Sequence, residues 1–226
     1  MKIIVAGPFQ VGKSKYIAAL DKKALNIMTL DKNDKECTIG MDIGSLECDG
    51  MKVLLFGTPG LLRFTAMRQI VTEGADGVIF LFDATDPDKD DAAIQILNEI
   101  RSHLPRNVPV VYAVNKIHEP DARSVERVRD QNYIPESAPI FGIDALTGEN
   151  VEKPLDELLY RIKQQMGPLV DILRKYENNP LGLKTALDKN VDEIMDLLNS
   201  MELRGIIAID RQHMTYKVND VAKFYV

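Results

Sequence analysis

Short apolar runs alternate along this chain with stretches whose apolar residues recur at helical spacing. Lys2–Ala6 and Gly77–Asp83 are nearly continuous apolar runs, the pattern of strands covered on both faces. Met41–Cys48 and Met51–Phe56 read as two strands, and the Asp49-Gly50 pair between them suits a two-residue hairpin turn. Val108–Val114 and Pro139–Ile143 supply two more strands. A helix starts over Tyr16–Leu20, and another spans Asp88–Leu104 with Ala92, Ile96, Ile100 and Leu104 on one face. A short helix is predicted over Ser124–Arg129, and a longer one over Val151–Met166 with Leu155, Leu158, Leu159 and Ile162 in one stripe. The charged run 31–36 reads as a solvated loop. Strands alternating with helices predict an α/β fold: a six-stranded, mostly parallel sheet flanked by helices, with right-handed crossovers.

Gly167-Pro168 punctuates the chain and places a domain boundary there, giving domains 1–167 and 168–226. Leu169–Tyr176, Gly182–Leu187 and Val191–Met201 read as three helices; Ile206–Ile209 and Met214–Val218 read as a returning ribbon. This small α+β unit resembles a winged-helix module. Residues 168–226 hold eight Lys/Arg against nine Asp/Glu, and Val191–Met201 carries Asp192, Glu193 and Asp196 with no basic residue. Phosphates would be repelled there, so protein contact is expected and nucleic-acid binding is not.

The strongest chemical signal is Gly7-Pro8-Phe9-Gln10-Val11-Gly12-Lys13-Ser14, a complete G-x-x-x-x-G-K-S between a strand and a helix start. The glycines let Gln10, Val11, Gly12 and their neighbours turn backbone N–H groups toward one anion. The helix N-terminus, which continues through Lys15, adds partial positive charge. Lys13 is placed to reach terminal phosphates and Ser14 to reach Mg²⁺. The fold class is therefore a P-loop NTPase.

Composition narrows the rest. Across 226 residues, 45% are hydrophobic and the net charge is −6, enough for a core and unsuited to general nucleic-acid or acidic-membrane binding. Two cysteines, Cys37 and Cys48, make neither a disulfide framework nor a zinc site and fit a reducing, cytoplasmic setting. The apolar start runs straight into the P-loop, and no lipidation box or bilayer-length apolar run is present, so no membrane anchor is expected. His103, His118 and His213 have no metal-ligand spacing.

Residues 1–166 resemble a Ras-like small GTPase. The resemblance rests on the P-loop, on Thr38-Ile39-Gly40-Met41-Asp42, on Gly57-Thr58-Pro59-Gly60-Leu61, on Asn115-Lys116-Ile117-His118 and on Asp144-Ala145-Leu146-Thr147-Gly148-Glu149-Asn150-Val151. It implies GTP/GDP and Mg²⁺ as ligands, Thr38 as the switch residue sensing γ-phosphate and metal, and Gly60 as a γ-phosphate contact. It implies Asn115, Lys116, the position of His118, and Ala145 and Leu146 at the base. The Gly-Thr-Pro-Gly form followed by Arg63-Phe64 is similar to the prokaryotic MglA/conservon-type branch, whose members pair with roadblock-type proteins. Four departures stand out. Gly57 replaces the Asp that holds Mg²⁺ through water, with Asp83 a weak substitute. Leu61 sits where a catalytic Gln orients water, so intrinsic hydrolysis should be slow. His118 replaces the Asp that accepts from guanine, with Glu119 one position later as a possible carboxylate. Asp144 and Leu146 replace Ser and Lys. The expected function is a nucleotide-dependent switch read by an effector or regulatory protein. The alternatives are a pseudo-GTPase scaffold with relaxed base choice and a nucleotide-gated transcription regulator.

Overall fold

A computed structural model describes residues 1–25, 28–30, 36–38 and 41–226, with the backbone alone at 28–30 and 36–38. The charged run predicted over 31–36 therefore falls mostly outside the described residues, as do Ile39 and Gly40. In chain order the elements begin with β1 (Lys2–Ala6), α1 (Lys13–Leu20), β2 (Met28–Leu30), β3 (Glu36–Thr38), β4 (Ile43–Cys48) and β5 (Met51–Gly57). Then come α2 (Thr65–Thr72), β6 (Gly77–Asp83), α3 (Asp90–His103), β7 (Val110–Asn115), α4 (Val125–Gln131) and β8 (Ile140–Ile143). The chain continues through α5 (Lys153–Lys175), α6 (Pro180–Leu187), α7 (Val191–Leu203), β9 (Ile207–Asp210) and β10 (Thr215–Val218). Short 3₁₀ turns cover Leu62–Phe64, Pro87–Lys89 and Asp220–Tyr225.

Six strands form one sheet in the order β4-β5-β1-β6-β7-β8, and β1 pairs in parallel with both β5 and β6. Pairing continues in parallel from β6 to β7 and from β7 to β8. Ile3–Ala6 and Val78–Phe82 are fully buried, as strands covered on both faces must be. Asp49 and Gly50 both take positive φ, 50° and 76°, which is the type I′ geometry that reverses β4 into β5. Helix α3 turns Ala93, Ile96, Leu97 and Ile100 into the core, and Ser124 caps α4 by accepting from the Arg127 N–H.

Contacts divide the chain into two units, Met1–Glu47 with Lys52–Leu159, and Cys48–Met51 with Tyr160–Val226. In the second unit, α6 and α7 precede an antiparallel β9–β10 ribbon. Asn190 and Glu193 form a reciprocal cap at the start of α7. The Tyr216 hydroxyl donates to the Leu173 carbonyl at 2.9 Å, and Lys163 lies between the Asp49 carboxylate, 2.9 Å away, and the Phe224 ring.

The helix break predicted at Gly167-Pro168 does not occur. Helix α5 runs unbroken for 23 residues with Pro168 inside it. Proline removes one intrahelical donor, which here is tolerated within a long amphipathic helix whose Val170 and Leu173 are fully buried. Gly167 serves close approach instead of termination: a Cβ there would lie 2.8 Å from the Tyr225 carbonyl oxygen.

Candidate functional site

The end of β1 passes through residues 7–12 into α1, so the P-loop lies beside the ends of β5 and β6. Gly12 is the N-cap of α1 with φ of 100°, and a Cβ on it would lie 2.2 Å from Asn115 Nδ2. Both the backbone angle and the clearance demand glycine. Asn115 Nδ2 donates to the Val11 carbonyl at 2.8 Å, while its Oδ1 accepts from the Ala145 N–H at 2.9 Å. One buried amide thus ties together the loops after β1, β7 and β8.

Lys13 is 8% exposed, and its Nζ donates to the Gly7 and Pro8 carbonyls at 3.0 and 2.7 Å. An ammonium has three donors, so one remains for an anion in the loop. Burial pulls the Lys13 pKa down to about 7; Asp42 opposes this, while Arg68 and Lys89 add repulsion. No acidic residue stands in the first turn of α1. A loop of N–H groups, a helix N-terminus and a desolvated ammonium together suit a multiply charged anion. Gln10 holds φ of 60°, and its carbonyl accepts from Lys116 Nζ at 3.1 Å. Lys15 is exposed on the outer side of α1.

Beside Ser14 stands a carboxylate that sequence reasoning passed over. Ser14 Oγ donates to Asp42 Oδ2 at 2.7 Å. Asp42 is 2% exposed, and its Oδ1 and the Thr58 hydroxyl are buried with no hydrogen-bond partner among the described residues. Burial pushes the Asp42 carboxyl upward, against the Ser14 hydroxyl and the Lys13 charge. Gly57 makes the room: a Cβ there would meet Asp42 Oδ2 at 2.9 Å, and the Gly57 N–H donates to the Asp42 carbonyl at 2.8 Å. A hydroxyl beside a buried, incompletely satisfied carboxylate is a hard oxygen donor set, which fits Mg²⁺. An uncompensated buried carboxylate is also costly, and a divalent cation would relieve that. The signal for Asp42 was the missing carboxylate at 57 with an acidic residue just ahead of the paired strand. Thr38 closes β3, with only its backbone described.

Asp83 does not reach Ser14. Its carboxylate is bound by Lys116 Nζ at 2.5 Å, Lys89 Nζ at 2.8 Å and the Thr85 hydroxyl at 2.7 Å. Burial would raise its pKa, but these bonds outweigh burial and hold it at about 2. Asp83 therefore anchors the Lys116 stem.

In the loop after β7, His118 Nε2 lies 2.7 Å from Glu149 Oε2, and both side chains are about half exposed. Asp144 Oδ1 accepts from the Leu146 and Thr147 N–H groups at 2.9 and 3.1 Å, while the Leu146 side chain is 78% exposed. Glu119 turns back through its N–H to the Lys116 carbonyl at 3.2 Å. With Thr85, Asp86 and Lys116 it lines an open cavity of about 500 Å³. The carboxylate beside His118 is thus Glu149 and not Glu119. Leu61 is half-buried, and Arg63 is exposed with its guanidinium 5.0 Å from the Phe64 ring centre. Among the described residues no three His, Cys, Asp or Glu side chains gather as a metal cluster, and no helix is long and apolar enough to cross a membrane.

The family described as Ras family matches residues 2–164. The Ras-related protein RABA4b of Arabidopsis thaliana is 26% identical over 167 residues, covering 71% of each chain. The Ras-related protein Rab-18-B of Danio rerio is 29% identical over 174 residues, 74% of this chain and 81% of that one. Translation initiation factor IF-2 of Petrotoga mobilis is 29% identical over 215 residues, 92% of this chain but 29% of the factor.

Proposed function

This chain belongs to the Ras family, and on that premise we propose that it is a guanine-nucleotide switch that binds GTP or GDP with Mg²⁺ and hydrolyses GTP slowly unaided. The observation that carries this reading is the P-loop, with Lys13 buried between two loop carbonyls and Asn115 tying the P-loop to the base loops. The backbone N–H groups of residues 10–14 and the remaining Lys13 proton bind phosphate oxygens. Ser14 and Asp42 would hold the cation, with Thr38 the further ligand that the family resemblance implies. When bound, Mg²⁺ would neutralise phosphate charge. Leu61 offers neither donor nor acceptor to position water, so turnover waits on a partner. A regulatory or effector protein, of the roadblock type in the MglA/conservon-type branch, reads the state in the cytoplasm. The three helices and ribbon of the second unit, winged-helix-like in order, serve protein contact; α7 carries acidic and no basic charge.

A second reading is favoured by the base end: a pseudo-GTPase scaffold with relaxed base choice. The His118 ring pairs with Glu149, and the Ala145 N–H already serves Asn115. Titration calorimetry of the whole chain with GTP, GDP and ATP in Mg²⁺ separates the two. Micromolar or tighter guanine binding with a clear GTP/GDP difference supports the switch. Equal ATP and GTP affinities support the scaffold, and no uptake of any of the three overturns both.

A further inference from the structure

Helix α2 carries Arg68, which is fully buried. Its guanidinium is saturated. Nε donates to Glu99 Oε1 at 2.9 Å and Nη2 to Glu99 Oε2 at 2.8 Å, a bidentate pair to α3. Nη2 also reaches the Leu62 carbonyl at 2.9 Å and the Thr65 hydroxyl at 3.2 Å. Nη1 donates to the Pro59 carbonyl at 3.1 Å and the Leu61 carbonyl at 2.6 Å. Those two carbonyls flank Gly60. Thr65 closes the network by donating to the Leu62 carbonyl at 3.1 Å.

Gly60 faces the phosphate loop. A Cβ on it would lie 2.6 Å from the Phe9 nitrogen, 2.7 Å from the Phe9 Cα and 2.7 Å from Lys13 Nζ. Residue 60 therefore lies against the P-loop on one side and is bracketed from behind by one guanidinium nitrogen. Burying a charge to hold three main-chain carbonyls is expensive unless each donor is used, and here each is. A surface helix residue needs no such arrangement.

We propose that Arg68, held by Glu99, is a positioning residue that pins Gly60 against Phe9 and Lys13 and thereby slows the escape of a bound nucleotide. The proposal rests on the nucleotide-binding reading for its kinetic half and on geometry alone for its positional half. Release requires residues 59–62 to lift from the P-loop, and lifting breaks the bonds from Arg68 to Pro59, Leu61 and Leu62. Lysine cannot replace this fork, because one ammonium cannot span carbonyls on both sides of Gly60 while pairing with Glu99.

Three whole-chain variants test this: Arg68→Lys, Glu99→Gln and Gly60→Ala. Two measurements are made on each, amide hydrogen exchange and dissociation of fluorescently labelled GDP. The expected result for Arg68→Lys is faster exchange at residues 59–64, unchanged exchange in β6 and β7, and at least tenfold faster GDP release. Glu99→Gln gives the same pattern more weakly and stands in if Arg68→Lys fails to fold. Gly60→Ala leaves the Arg68–Glu99 pair in place but pushes the loop off the P-loop, so it also speeds release. Unchanged exchange at 59–64 in both pair variants overturns the positioning role. A loosened loop with unchanged release overturns the gating role. Failure of the wild-type chain to take up GDP instead sinks the nucleotide reading, and hydrogen exchange still decides the positional half.

Discussion

The Ser14 hydroxyl donates to the Asp42 carboxylate at 2.7 Å, across space that Gly57 leaves open. A carboxylate from one side of the β4–β5 pair thus stands where position 57 has no side chain. The Asp42→Asn variant keeps the shape and removes the charge. Its affinity for GTP in Mg²⁺ should fall on the order of tenfold or more, while in excess EDTA it should match wild type. Equal Mg²⁺ dependence in the two proteins would show that Asp42 does not serve the cation.

The same juxtaposition makes Gly57→Asp unfavourable. Its Cβ would overlap Asp42, and two carboxylates would share one buried space. Urea unfolding should show a loss of about 1–3 kcal/mol from overpacking alone. Combining it with Asp42→Gly should recover most of that loss, because the clash and the repulsion vanish together. A double variant no better than the single one would contradict the spatial exchange.

Leu61 supplies nothing to orient water, whereas its backbone is already placed by Arg68. Leu61→Gln should therefore raise single-turnover GTP cleavage by roughly tenfold or more, since water positioning is a large part of this chemistry. An unchanged rate would mean that the missing element lies elsewhere.

What the sequence disclosed follows from the range of each interaction. The run Lys2–Ala6, the P-loop and the start of α1 are local in the chain, so pattern and spacing fixed them. The Asp49-Gly50 turn was equally legible because its φ values belong to two adjacent residues. Asp42 was not legible as a partner of Ser14, since a gap of 28 residues closes only in the folded sheet. Arg68 lies in a helix whose Thr65 and Gln69 are exposed, and nothing local marks it as buried. Helix α5 ran through Gly167-Pro168 because the features that explain it are tertiary: the Tyr225 carbonyl against Gly167 and the buried Val170 and Leu173.

That helix gives a paired prediction. Pro168→Ala restores a donor for the Gln164 carbonyl and should raise the thermal midpoint, since an interior proline costs about 3 kcal/mol relative to alanine in an unstrained helix. Gly167→Ala, one position earlier, should lower it, because its Cβ meets the Tyr225 carbonyl oxygen at 2.8 Å. Calorimetric melting of both variants checks the contrast. A rise for both would mean that the Tyr225 contact yields easily.

Asp83 predicts the acid limb of stability. Its native pKa of about 2 lies below the ordinary 3.8, so its ion pairs with Lys116 and Lys89 stabilise the fold above about pH 4. That contribution is lost as pH falls toward 2 and amounts to about 2 kcal/mol. Asp83→Asn should be less stable than wild type at pH 6, with the gap shrinking to roughly a third by pH 2.5 in urea titrations. A gap that is constant with pH would assign the loss to packing instead of charge.

If Lys13 and its loop grip the phosphates of a guanine nucleotide, equilibrium binding of GTP with Mg²⁺ must separate wild type from Lys13→Ala. Wild type should bind at micromolar or tighter affinity and the variant at least a hundredfold more weakly, with circular dichroism unchanged. Equal binding by the two proteins would contradict it.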